Sequence, residues 1–197
     1  METKEFKFIK NILWPVKSIV RIGDDGIFNK GHLVSWNSIT DFSCHIMSIN
    51  GSMNYTVRYK DAIGSNHVLA YGVAMTGKKK KKQMFAELYD MILEGFYQYK
   101  IKPDTEENLE KIKAGETVEL DKTKVSAKGV TIMKGLIKKE PCFIAMEDLE
   151  LSYPAGSGGM RIASKVNKKD AVLISFETQK ARHIDALLRC YSTPVEA

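Results

Sequence analysis

The sequence predicts an α+β, mainly β chain in which one module, a bent antiparallel sheet or partial barrel capped by a C-terminal helix, occurs twice. Three observations predict it: apolar residues alternating with polar ones in short runs, turn residues between those runs, and one helical apolar stripe ending each half of the 197-residue chain. A period of this kind takes precedence over single elements, because a duplication fixes the architecture. Each copy, roughly 80 to 90 residues, is small enough that its core is modest. The hydrophobic share of 44% and charged share of 27% are those of a folded chain.

In the first copy, Phe6, Ile9 and Leu13 stand at helical spacing, with Lys4, Lys7 and Lys10 on other faces, before Pro15. That predicts a short amphipathic helix, either an anchor on anionic lipid with Trp14 at the interface or an arm docked on its own domain. Val20 and Ile22 face inward on a strand that turns at Gly23 to Gly26 and continues through Leu33, Val34, Trp36 and Ile39. Phe42, Cys44 and Ile46, then Tyr55, Val57 and Tyr59, alternate with polar residues as half-wet strands, joined by a hairpin at Asn50, Gly51 and Ser52. Val68 to Met75 reads as a buried strand. A helix from about Lys81 to Tyr99 places Phe85, Leu88, Ile92, Phe96 and Tyr99 on one stripe, which must cover a sheet.

Pro103 and Asp104 open a second helical pattern, with Asp104 and Glu107 at capping-box spacing and Gly115 as its stop. It predicts an ordered linker over 103–115 between a first domain, 1–102, and a second, 116–197. In the second domain Val118 and Leu120 open, Met146 and Leu149 echo Trp36 and Ile39, and Met160 and Ile162 echo Tyr55 and Val57. Leu149, Leu151 and Tyr153 alternate, residues 154–159 form a loop, and Val172, Ile174 and Phe176 lead into a helix over about Thr178 to Tyr191.

Net charge is +6, and the first 102 residues hold all of it, with 15 basic and 9 acidic groups against 15 and 15 in the remainder. Such asymmetry suits an anionic membrane surface, an acidic protein or nucleic acid, or reflects the one lysine run in that half. Cys44, Cys142 and Cys190 are widely spaced and odd in number, which argues against a disulfide framework and for a reducing cytoplasm. No run approaches the roughly 20 apolar residues of a membrane span, and the first residues, with Glu2 and Glu5, do not read as a secretory signal.

The strings Asp25-Gly26-Ile27 and Val34-Ser35-Trp36-Asn37-Ser38-Ile39, followed by the closing helix, resemble tandem pleckstrin-homology-like (PH-like) domains of the bacterial style. The second copy's counterparts are Lys128-Gly129-Val130 and Ile144-Ala145-Met146-Glu147-Asp148-Leu149, so the likeness covers most of residues 17–191. The resemblance implies a seven-stranded bent sheet in each copy and a function in binding phosphoinositides, peptides or proteins, among which fold alone does not choose. The lipid-binding branch of that family uses a basic first hairpin. Here the first turn is Gly23-Asp24-Asp25-Gly26, which would repel a phosphoinositide, whereas the second copy has Lys122, Lys124 and Lys128 in that region.

The loudest chemical signal is Lys78, Lys79, Lys80, Lys81 and Lys82, five consecutive cations between Gly77 and a helix. The run reads as a solvated loop, as an anchor on an anionic membrane or acidic protein, or as a contact to phosphates. Nucleic acid is the weakest of these, because exposed aromatics are not interleaved with the lysines. His32, His45, His67 and His183 have no metal-ligand spacing, and no metal or other cofactor is expected. Ser157 within Gly156-Ser157-Gly158-Gly159 lacks the lysine and helix of a phosphate loop, and no nucleophile stands in a catalytic signature. The expectation is a cytoplasmic, non-catalytic binding or scaffold module for a protein or peptide. Peripheral binding to anionic lipid through the lysine run is the alternative.

Overall fold

Asn50 and Gly51 both adopt left-handed backbone angles, φ 48° and 69°, and make the two-residue turn that joins the longest pair of strands in the chain. The two-residue loop needs this conformation because its twist then matches that of the flanking strands. The computed structural model describes residues 1–9, 17–74, 76–135, 139–154 and 158–192. Those residues are mainly antiparallel β-structure, and the chain divides into two compact units, Met1–Lys100 and Ile101–Ala197.

In the first unit, β1 (Lys4–Ile9), β2 (Lys17–Gly23), β3 (Gly26–Asn29) and β4 (His32–Val34) form one sheet in that order. A three-residue 3-10 turn, Trp36–Ser38, then leads into a second sheet of β5 (Ile39–Ile49), β6 (Ser52–Asp61) and β7 (Asn66–Ala74). Helix α1 (Lys79–Phe96) follows and buries Phe85, Leu88, Ile92 and Phe96, the stripe legible in the sequence.

Lys4–Ile9 is a strand and not the expected helix. Phe6 and Phe8 are both buried while Glu5 and Lys7, alternating with them, are exposed, and Phe6 pairs with Val20. Two-residue alternation wins here because β2 supplies a partner, whereas an isolated helical turn would bury nothing. Lys10, Leu13, Trp14 and Pro15 lie outside the described residues. Ile46, expected inward, is 47% exposed on the outer half of β5, and β7 is buried on one face only, through Leu69, Tyr71 and Val73.

The second unit begins with a segment expected as a linker. Helix α2 (Lys102–Lys113) places Ile112, fully buried, in the same core as Val125, Val130, Ile162 and Leu187. The capping box does not form. The helix starts from Ile101, out of a π-helical turn over Tyr97–Ile101, so Asp104 lies inside its first turn and Glu107 pairs with Lys111 at 2.6 Å. Its end is as expected. Gly115 takes φ 89°, and bonds from Glu116 N to the Lys111 carbonyl and from Gly115 N to the Ile112 carbonyl, each 3.0 Å, close the helix.

Beyond it, β8 (Val118–Leu120), β9 (Thr123–Ser126), β10 (Gly129–Lys134) and β11 (Glu140–Ala145) make a four-stranded sheet. A 3-10 turn over Met146–Asp148 leads to β12 (Leu149–Ser152), β13 (Gly159–Ser164) and β14 (Ala171–Ser175), then to α3 (Gln179–Ser192). Among the described residues each unit thus runs four strands, a 3-10 turn, three strands and a helix, preceded by α2 in the second, and none of the four sheets closes into a barrel.

Register makes the internal likeness specific. Ile22 pairs with Ile27 and Ile27 with Val34; Val125 pairs with Val130 and Val130 with Ile144, and all six side chains are buried. One residue before each central member, a Cβ on Gly26 would lie 2.1 Å from the Val34 carbonyl oxygen, and one on Gly129 would lie 2.2 Å from that of Ile144. The expected echo on the next sheet shifts by two residues. Ile39 pairs with Asp61 and Leu149 with Ser164, so Ile162 answers Tyr59, and Met160 answers Val57.

Candidate functional site

The lysine run is the first turn of α1 rather than a loop before it. Lys78 is the N-cap residue, Lys78 to Lys81 are exposed, Lys82 is half-buried, and the turn carries no acidic residue and no side-chain cap. Each cation close to that turn opposes the helix dipole by roughly 0.3 to 1 kcal/mol. The helix dipole therefore favours none of them. The Lys81 ammonium lies 5.5 Å from the centroid of the Phe85 ring, and Lys78, Lys79 and Lys80 make no ion pair among the described residues.

Beside this turn is a groove of about 700 Å³. β1 supplies Lys7 and Phe8 to its lining, and α1 supplies Lys80, Lys81 and Met84, with Lys78 before it. Phe8 is set by its own packing, edge-on to Phe85 at 5.1 Å and tilted to Tyr71 at 5.9 Å. Glu87, the carboxylate in the lining, is paired with Lys4, and Lys7 is 2.7 Å from Glu5, whose carboxyl it holds below the usual range. The groove combines an apolar floor with a cationic rim. Lys7, Phe8 and Met84 were not singled out by sequence reasoning, because nothing local says which strand meets the start of α1.

The second set of lysines is not one cluster. Lys124, on β9, lies 3.1 Å from Glu119 and so has its counter-ion, while Lys128 is exposed in the turn before β10, where its carbonyl accepts a 3.1 Å bond from Met146 N. Lys122, in the β8–β9 turn, instead approaches Lys139, just before β11. The close approach of the Lys122 ammonium, then its charge, holds the Lys139 pKa below the ordinary lysine value. Lys122 and Lys139 are thus neighbouring cations. Lys139 is the member the sequence reading missed, and its signal was the dipeptide Lys138-Lys139 after Gly135.

Asp24, expected to repel an anionic headgroup, is engaged internally. It accepts a 2.9 Å bond from the Tyr99 hydroxyl and pairs with the amine of Met1, which together hold its carboxyl low. Asp25 lies beside it in the turn between β2 and β3. Glu147 and Asp148 occupy the 3-10 turn before β12.

His67 and Asp61 come closest to a catalytic arrangement. His67 Nε2 is 2.8 Å from Asp61 Oδ2, and the imidazole stacks on Tyr59 at 5.0 Å. Burial, then the Asp61 charge, pushes the Tyr59 hydroxyl up to about 12, which removes it as a base near neutrality. Asp61 also accepts from Ser65 N at 2.8 Å, so the carboxylate organises the turn between β6 and β7. His67, Ser65 and other turn bonds hold the Asp61 pKa below its ordinary value. Its stabilisation is therefore present above the unfolded carboxylate pKa of about 3.9 and lost as pH falls through the lower folded value. Hydrogen exchange of the Ser65 amide should accelerate on acidification through that window, once the intrinsic pH dependence is removed. Asp61→Asn should abolish the effect.

Among the described residues no group of three or more His, Cys, Asp or Glu is placed to hold a metal, and no helix is long and apolar enough to cross a membrane. Ser157 lies outside the described residues, and Cys44, Cys142 and Cys190 are not joined in a disulfide. Burial, then Asp170, pushes the Cys142 thiol up, away from nucleophilic reactivity. Compared with family models, with curated proteins and with solved structures, the chain matches none.

Proposed function

We propose that the protein is a non-catalytic binding module, two PH-like domains in tandem, that takes a protein or peptide partner by strand addition in the first domain. The observation that supports this reading is β5. Among the described residues it is the outermost strand of its sheet, paired with β6, and its outer half exposes Ile46, Met47 and Ile49 by 47 to 49%. From Ser43 to Ile49 the strand has neither a charge nor a proline, the usual protections of an edge. A partner strand laid there gains main-chain bonds for affinity and side-chain contacts for specificity.

The test places a photo-crosslinking residue at Met47, with one at exposed Lys60 as control, in the full chain inside cells. The expected result is a discrete adduct from Met47 alone that disappears with Ile46→Lys and Ile49→Lys. Identical adducts from both positions, or none from Met47, would remove strand addition.

A second reading, binding of an anionic lipid headgroup, is supported by Lys122 and Lys139. An anion between them would relieve their mutual repulsion. On this reading Lys122→Gln with Lys139→Gln abolishes co-sedimentation with phosphatidylserine vesicles at low salt, whereas replacing Lys78 to Lys82 with Gln abolishes it if the lysine run is the anchor. Binding indifferent to both replacements, or equal on neutral vesicles, counts against lipid recognition.

A further inference from the structure

We infer that the groove between β1 and the first turn of α1 is a second ligand site, separate from the β5 edge, for an acidic protein segment that carries an aliphatic or aromatic side chain. The volume, about 700 Å³, is that of a small-ligand pocket. Its chemistry is two-part. Phe8 and half-buried Met84 offer apolar surface, and Lys7, Lys78, Lys80 and Lys81 stand around them as cations.

Charge selects the partner's flanks. Glu87 is the acidic group of the lining and is already paired with Lys4, while Lys78 and Lys80 make no ion pair among the described residues. Carboxylates arriving from outside would therefore meet uncompensated ammonium groups, and an anion at this turn also turns an unfavourable dipole arrangement into a favourable one.

Shape selects protein over membrane. Among the described residues of this patch the apolar atoms are recessed: Phe8 is 7% exposed and wedged against Phe85, and Met84 is half-buried, so neither protrudes as a side chain inserting into a bilayer interface would. A protruding Leu or Phe of a partner can enter where a flat headgroup layer cannot. Nucleic acid fits less well still, because Phe8 and Phe85 meet edge to face and leave no open ring on which a base could stack.

The probe is a fluorescent peptide of Asp and Glu residues around a central Leu-Phe pair, titrated into the full chain and read by anisotropy. Saturable binding is expected, about tenfold weaker with Lys80→Gln and Lys81→Gln together, from the loss of two partly exposed ion pairs. It should also weaken with Met84→Ser, with Ser-Ser in place of Leu-Phe, and with added salt. The lysine variant should melt no lower than the native chain, which separates lost binding from lost folding. Absence of saturable binding overturns the inference, and so does equal affinity for the Ser-Ser peptide, which would reduce the groove to a plain cationic surface. Displacement of the peptide by phosphatidylserine vesicles, with vesicle binding lost in the lysine variant, overturns it in favour of a membrane. None of these results depends on Met47, so the strand-addition reading stands or falls separately.

Discussion

Trp36→Ala is expected to cost the first unit about 3 to 5 kcal/mol, the range for deleting a buried aromatic side chain. Against a total stability of about 5 to 15 kcal/mol for a domain of this size, that is enough to leave the unit marginal. Trp36 is 1% exposed and donates its indole N–H to the Gly23 carbonyl at 2.7 Å. It packs edge-on to Phe96 at 5.5 Å and parallel to Tyr99 at 5.9 Å. It therefore links the β2–β3 turn, the corner between the two sheets and the end of α1. The slot that receives it is made by Gly95, where an added Cβ would lie 2.2 Å from the indole ring. Gly95→Ala should consequently destabilise, even though helix propensity alone favours alanine by about 1 kcal/mol. Trp36→Phe keeps most of the ring and leaves the Gly23 carbonyl without its donor, a smaller loss of about 1 to 3 kcal/mol. Urea unfolding monitored at the first unit's aromatic residues gives the order Trp36→Ala, then Trp36→Phe. Equal losses would mean that the hydrogen bond, and not the ring, is the larger part.

Gly26→Ala and Gly129→Ala should be costly in both units for the same reason. At φ 141° and 158° each glycine lies where L side chains are rarely found, and the missing Cβ would strike a backbone carbonyl, at Gly129 together with the Phe143 ring. Backbone strain alone costs about 1 to 3 kcal/mol. The collision adds to it, because the Ile27–Val34 and Val130–Ile144 pairs would have to separate. Gly31 is the control. It also has a positive φ, 85°, but nothing lies within 4 Å of its absent Cβ, so Gly31→Ala should cost the backbone part only. Amide exchange at Ile27 and Val130 reads the result locally. If Gly31→Ala proves as harmful as Gly26→Ala, close approach is not the cause.

Local chemistry made much of this fold legible. The turn at Asn50-Gly51, the stripe on α1, the glycine stop at Gly115 and the paired strings around Trp36 and Met146 each carry their instruction within a few residues. What failed was decided by partners distant in sequence. Phe6, Ile9 and Leu13 fit a helix, but Phe6 and Phe8 fit a strand equally well, and only β2 decides between them. Asp104 and Glu107 have the right spacing for a capping box, yet the helix begins earlier, out of the π-helical turn.

The echo of Met160 and Ile162 slipped by two because the first unit's hairpin runs further beyond the corner and its β5 holds an extra residue near Thr40, whose hydroxyl donates to the Lys60 carbonyl at 3.2 Å. Of the candidate site, the lysine run was visible as composition. Its groove was not, because Phe8 and Met84 are separated by most of the unit, and neither was Lys139, which matters only once two loops place it beside Lys122.

That one corner is built twice is the central structural claim, and methyl-to-methyl NOEs in an Ile- and Val-labelled full chain test it most directly. The expected result is two closed sets of contacts, Ile22 with Ile27 and Ile27 with Val34 in one, Val125 with Val130 and Val130 with Ile144 in the other. Contacts in only one set, or Val130 meeting partners other than Val125 and Ile144 across its strands, would contradict the duplication.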